Sequence, residues 1–164
     1  MDQSSVSEQI TRLDKLVAHS SAAGYGLNVT LVYEDAATRK WAREIYERAA
    51  RFAGADLVRA TWWRISDLSE PGVLAGAVST AMRSDVVVVA GRGAEGLPLP
   101  FYVWINAWLT HRTARAGAVV ALLGSAREES SHSGRVVEYL REVARQGRME
   151  FVRESRLLES SVAE

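Results

Sequence analysis

The chain has 164 residues, 48% of them hydrophobic, which is sufficient for one domain with a substantial core. Twenty Lys and Arg residues balance twenty Asp and Glu residues, so the formal net charge is zero. This balance excludes a protein that binds nucleic acid through bulk positive charge. The absence of cysteine excludes disulfides, thiolate metal sites and cysteine nucleophiles.

Residues 1–26 are predicted to form a polar tail, a helix and a linker. Val6, Ile10, Leu13 and Val17 have the spacing of one narrow helical stripe, and a Ser- and Gly-rich stretch follows at 20–26. This helix either packs on its own domain or mediates dimerisation. The polar N-terminus does not resemble a signal peptide, and no apolar stretch approaches the roughly 20 residues of a membrane span. We therefore expect a cytoplasmic protein.

Residues 27–153 are predicted to form the main domain, in which five strands alternate with four helices, and residues 154–164 are predicted to form a C-terminal tail. The apolar runs at 86–90 and 118–123 are typical of strands in a parallel sheet covered on both faces. With right-handed crossovers, this alternation predicts an α/β fold. The predicted architecture is a three-layer α/β/α sandwich with a five-stranded parallel sheet in the flavodoxin-like order 2-1-3-4-5. The remaining strands are expected near 29–33, 57–65 and 149–152, and the helices near 36–52, 71–83, 101–111 and 136–147.

The predicted strand order nominates a site, because ligands usually bind where strands 1 and 3 end in such a sheet. Glu34 and Asp35 follow strand 1, and adjacent carboxylates can hold a hard cation such as Mg²⁺. Alternatively, Asp35 caps the next helix and Glu34 is a solvated acid. Asp67 or Ser69 is expected to cap the following helix. The candidate ligand-binding residues are Glu34, Asp35, Gly91, Arg92, Gly93, Gly96 and Ser125.

The segment Thr30–Asp35, followed by an amphipathic helix, resembles the opening of bacterial response-regulator receiver domains. That resemblance implies a phospho-acceptor Asp at the end of strand 3, where this chain has Ala90-Gly91-Arg92. It also implies Ser or Thr after strand 4, which Ser125 matches, and Lys after strand 5, where Arg153 stands instead. Without the acceptor, the resemblance implies a pseudo-receiver. We expect a non-enzymatic signalling or protein-interaction module that is not phosphorylated and requires no cofactor.

A small enzyme or cofactor carrier, using a nucleotide or flavin, is the alternative. Gly91, Gly93 and Gly96 have the spacing of a dinucleotide-binding loop, but residues 97–100 separate them from the next helix. The glycines instead form either an anion nest beside Arg92 or a turn that needs positive φ. A flavin phosphate bound after strand 1 would be repelled by the acidic pair there.

The Trp-rich helix at 101–111 predicts a homodimer. Trp104 and Trp108 share one face of this helix, and aromatic residues are enriched at interface cores. The competing interpretation is that the N-terminal helix covers the same side chains within one chain. The partner is expected to be a second copy or another signalling protein. The chain also resembles a bacterial α/β family without an established activity. The resemblance rests on the order of a strand ending in Tyr-Glu-Asp, a Val run, a Gly-containing loop, Leu-Pro and a Trp-rich helix.

Overall fold

Strands and helices alternate along the chain in the computed structural model, which describes residues 26–54, 58–92, 96–112, 116–125 and 131–158. A short 3₁₀ helix, Ile65–Ser69, links the second strand to the second helix. The predicted N-terminal helix and Gly93 lie outside the described residues. The elements are β1 (Leu27–Tyr33), α1 (Ala36–Ala53), β2 (Val58–Arg64), α2 (Pro71–Met82), β3 (Val86–Gly91), α3 (Leu99–Leu109), β4 (Ala118–Ser125), α4 (Ser131–Gln146) and β5 (Glu150–Leu157).

The five strands form one parallel sheet in the order β2-β1-β3-β4-β5, which confirms the predicted topology. In the register, Val29 pairs with Ala60 of β2 and with Val86 of β3. The crossover direction reverses between β1 and β3, so the carboxyl ends of these two strands lie side by side. The arrangement is the flavodoxin-like one.

The sheet has apolar side chains on both faces, as the continuous Val run of β3 predicts. Val87 and Val89 belong to the core layer that includes side chains of α2, α3 and α4, whereas Val86 and Val88 belong to the layer that includes side chains of α1. Trp62 and Trp63 are neighbours in β2 and therefore pack in opposite layers. This double burial fixes the strand register, because a shift of one residue would exchange the two layers.

Trp104 and Trp108 lie inside the core, not at a surface. Both are 0% exposed, and their ring centroids are 5.8 Å apart in the layer between α3 and the sheet. Helical spacing places them on one face of α3, as predicted, but the sheet covers that face. The predicted interface role therefore does not fit these two side chains, which a partner cannot reach. The homodimer itself stays a prediction.

Two local features differ from the sequence-based expectation. The strand β5 continues to Leu157, so residues 154–157 belong to the sheet and not to a tail. The residue that precedes α2 is Glu70, whose side chain makes no capping bond, so Asp67 and Ser69 do not cap this helix. They lie in the 3₁₀ helix, which uses the residues between β2 and α2 for one extra turn.

Candidate functional site

Asp35 caps α1 in a reciprocal arrangement with Thr38. The Thr38 N–H donates to Asp35 Oδ1 at 3.0 Å, and the Asp35 N–H donates to Thr38 Oγ1 at 2.9 Å. Thr38 is fully buried, so these bonds are shielded from water. Two of the N–H groups that every helix leaves unpaired at its start are thereby satisfied. The capping interpretation of Asp35 is confirmed.

Arg92, which follows β3, connects this cap to the neighbouring loop. Its Nε donates to Asp35 Oδ2 at 2.6 Å, and its backbone N–H donates to Glu34 Oε1 at 2.9 Å. The Arg92 and Asp35 side chains are 23% and 20% exposed, so solvent screens this ion pair less than one on the open surface. The Glu34 N–H also donates to Ala90 O at 3.1 Å. The ends of β1 and β3 are therefore held together by both backbone and side chains.

The electrostatics of this edge favour an ionised Asp35. Burial acts to raise the pKa of Asp35, but the Thr38 N–H and the Arg92 guanidinium outweigh burial and lower it. Each of its carboxylate oxygens already has a donor. Among the described residues, no group of three or more His, Asp or Glu is placed to hold a metal ion. The Arg92 guanidinium is the cationic partner of Asp35 at this edge.

Gly91 ends β3, within the segment Ala90-Gly91-Arg92 where the receiver resemblance implies a phospho-acceptor. A Cβ on Gly91 would lie 2.9 Å from Leu97 Cδ2 and 3.2 Å from Glu34 Oε1. Gly91 is buried, and Ala90 before it is 0% exposed. A carboxylate at position 91 would therefore be forced against Leu97 and against the Glu34 carboxylate.

The structure brings Glu34, Asp35, Gly91 and Arg92 together, whereas Gly93 lies outside the described residues. Gly96 has φ of +85°, which agrees with the interpretation of this loop as a turn that needs glycine. The helix α3 begins at Leu99, two residues earlier than expected. Ser125 ends β4 at the same edge of the sheet, where it pairs with Leu157.

Sequence reasoning missed Thr38 as a partner of Asp35. The signal was present, because an acid followed three residues later by a side chain that can bond back to it is the spacing of a capping box. It also missed an aromatic cluster beside the cap. The Arg39 guanidinium lies 5.6 Å from the ring centroid of Tyr33 and 5.2 Å from that of Trp62. These contacts hold Arg39 on the α1 side of the sheet.

Two apolar side chains of α3 point to solvent near the same edge. Leu99 is 74% exposed and Val103, one turn later, is 45% exposed. The opposite side of this helix is filled by the buried Trp104 and Trp108. The helix α3 is therefore apolar on both its inner face and the first turns of its outer face.

Comparison with known proteins identifies a structure of similar fold but no matching family model. No helix in the described part of the chain is long and apolar enough to cross a membrane. No family model matches the chain, and no curated protein matches it. One solved structure of similar fold is an X-ray structure of an oxidoreductase from Corynebacterium diphtheriae. It is 18% identical, its TM-score is 0.58, and the match covers 84% of this chain and 86% of that chain. At this identity the similarity establishes a shared fold alone.

Proposed function

We propose that this chain is a non-enzymatic protein-interaction module on a flavodoxin-like fold, with a receiver-like site that does not accept a phosphoryl group. The contact that carries the proposal is Arg92 with Asp35 and Glu34, since it uses the acidic pair to hold two loops together. A receiver needs its acidic pair available for a metal ion. In this chain Glu34 and Asp35 instead bind Arg92 and hold the ends of β1 and β3 together.

The exposed apolar residues of α3 support an interaction role. Leu99 and Val103 lie one turn apart on a helix whose inner face is already fully packed, so their exposure contributes nothing to the core. Exposed apolar patches on soluble proteins mark contact surfaces when they are contiguous. We assign a second copy of the chain as the partner, because a net charge of zero minimises long-range repulsion between copies.

Sedimentation equilibrium of the full chain tests this proposal. We expect the mass of two chains for the wild type and of one chain for Val103→Glu, because the variant places a charge in the contact. Ala75→Glu adds the same charge at an exposed position of α2 and should leave the dimer intact. A wild-type mass of one chain at tens of micromolar would contradict the homodimer, and dissociation by both variants would contradict the assigned surface.

A small oxidoreductase or cofactor carrier is the second candidate, favoured by the fold shared with the Corynebacterium diphtheriae oxidoreductase. The start of α1 argues against a flavin phosphate there, since the Asp35 carboxylate already accepts the Thr38 N–H that an anion would use. Native mass spectrometry of the purified full chain distinguishes the two candidates. A retained flavin or nucleotide, or a yellow preparation, would favour the second.

A further inference from the structure

The amino-terminal edge of the sheet, opposite the Arg92 contact, has a polar cleft. It lies between β1, β2 and the end of α2 and has a volume of about 360 Å³. Small-ligand sites commonly have volumes of about 300–1,000 Å³. The polar side chains that line the cleft are Asn28, Arg59, Thr61, Thr80, Arg83 and Ser84.

The cleft arises from a change of side-chain chemistry along one sheet face. On the face that α2 covers, β1 carries Asn28 and Thr30, and β2 carries Arg59 and Thr61 before it becomes apolar at Trp63. The register pairs Asn28 with Arg59 and Thr30 with Thr61, so all four are cross-strand neighbours. A sheet face covered by helices is normally apolar throughout. The fold itself does not require this polar block.

Hydrogen bonds fix the floor of the cleft. Thr30 and Ser84, which are 0% and 2% exposed, bond through their hydroxyl groups. The Ser84 hydroxyl also donates to Thr80 O at 2.7 Å. Arg112 Nη1 donates to Ser84 O at 2.7 Å and to Ala81 O at 3.4 Å. Arg112 therefore neutralises the negative end of α2, which would otherwise repel an anion from this position.

Two guanidinium groups stand at the rim of the cleft. Arg59 and Arg83 are exposed, and in the described part of the chain neither forms an ion pair. Arg83 donates to Ser79 Oγ at 3.3 Å, a neutral acceptor. The carboxylate of Asp85 accepts the Asn28 N–H at 2.9 Å and does not line the cleft. Guanidinium groups with neighbouring hydroxyls match the oxygens of phosphate and carboxylate groups.

We propose that this cleft binds a small organic molecule through a phosphate or carboxylate group, which Arg59 and Arg83 hold by charge-assisted hydrogen bonds. Thr61 and Asn28 supply neutral polar contacts to the rest of the molecule. Ser84, whose hydroxyl is held by Thr30 beneath it, lies at the base. The cleft lies at the opposite edge of the sheet from Glu34, and none of its lining residues belongs to the proposed interaction surface at Leu99 and Val103.

An NMR titration of the ¹⁵N-labelled full chain tests the proposal, with inorganic phosphate and citrate as separate probes at constant ionic strength. We expect saturable shifts at the amides of Asn28, Thr61 and Ser84. Arg59→Gln and Arg83→Gln should each weaken binding about tenfold, the effect of losing one charged hydrogen bond. Arg48→Gln is the matched control, because it removes an exposed charge from α1 on the other face.

The two probes also separate the sources of the anion. Saturation by phosphate alone assigns a phosphate-bearing ligand, and saturation by citrate alone assigns a carboxylate. Absence of saturation with both probes would overturn the proposal, as would equal weakening in Arg48→Gln, since that would indicate bulk charge. Arg59 and Arg83 are both exposed, so either variant carries the test if the other fails to fold.

Discussion

Replacement of Asp35 should separate its capping bond from its ion pair. Asp35→Asn retains an oxygen that can accept the Thr38 N–H but removes the charge that Arg92 contacts at 2.6 Å. Asp35→Ala removes both contacts. An N-cap contributes roughly 0.5–2 kcal/mol, and a hydrogen bond to a charged group roughly 1.5–3 kcal/mol. Partial exposure, 20% for Asp35, reduces the second contribution to about 1 kcal/mol.

We therefore expect Asp35→Asn to lower the free energy of unfolding by about 1 kcal/mol and Asp35→Ala by about 2–3 kcal/mol. Urea unfolding followed by tryptophan emission measures both values. A double-mutant cycle with Arg92→Ala should give a coupling free energy of about 1 kcal/mol with Asp35→Ala. Equal losses for Asn and Ala, or a coupling of zero, would refute the assignment of two separate contributions.

Four further predictions concern the ends of β1 and β3 and the core. Acid should destabilise the domain through Asp35, because folding lowers the pKa of this carboxyl. Its contribution to the free energy of unfolding is complete above the unfolded pKa of about 3.9 and declines as the pH falls below that value. Asp35→Asn should flatten this acidic part of the plot of stability against pH. Val88→Asp places a charge under α1 and should cost several kcal/mol, so a soluble, cooperatively unfolding variant would show that β3 is not central. Acetyl phosphate should add no phosphoryl group, and a mass gain that maps to Asp35 or Asp85 would contradict this. Gly91→Asp should not introduce phosphorylation and should destabilise the domain, because it places a second carboxylate beside Glu34 Oε1. Gly91→Ala should be milder, because its Cβ must also fit beside Leu97 Cδ2 and Glu34 Oε1 but adds no charge.

The strand order was predictable because it follows from local patterns. The apolar runs of β3 and β4 require cover on both faces, and right-handed crossovers then leave few topologies. The Asp35–Arg92 ion pair was not predictable at this level, since the two residues are 57 positions apart in the sequence. Their contact depends on how far β1 and β3 extend before each loop begins. The sequence nominated both loops but could not specify which atoms meet.

The second half of β5 is polar, which shows why an edge strand is hard to recognise in a sequence. Residues 153–156 read Arg-Glu-Ser-Arg, which is typical of a solvated tail. In the sheet they pair with β4, and Glu154 Oε1 accepts the Trp41 Nε1–H at 3.2 Å while Arg156 contacts Glu44 at 2.8 Å. Charged residues are common on edge strands because they oppose pairing with other chains. The partners of these charges lie on α1, more than 100 positions earlier.

The tryptophans are divided between the two layers of the core, and this gives the domain two optical reporters. Trp41 and Trp62 lie in the layer under α1, whereas Trp63, Trp104 and Trp108 lie in the opposite layer. A variant in which Phe replaces all tryptophans of one layer retains tryptophan emission from the other layer only. Coincident unfolding curves from the two variants identify one cooperative unit, and separated curves identify a layer that opens first. Residues that are adjacent in the sequence, Trp62 and Trp63, thus report on opposite sides of the same sheet.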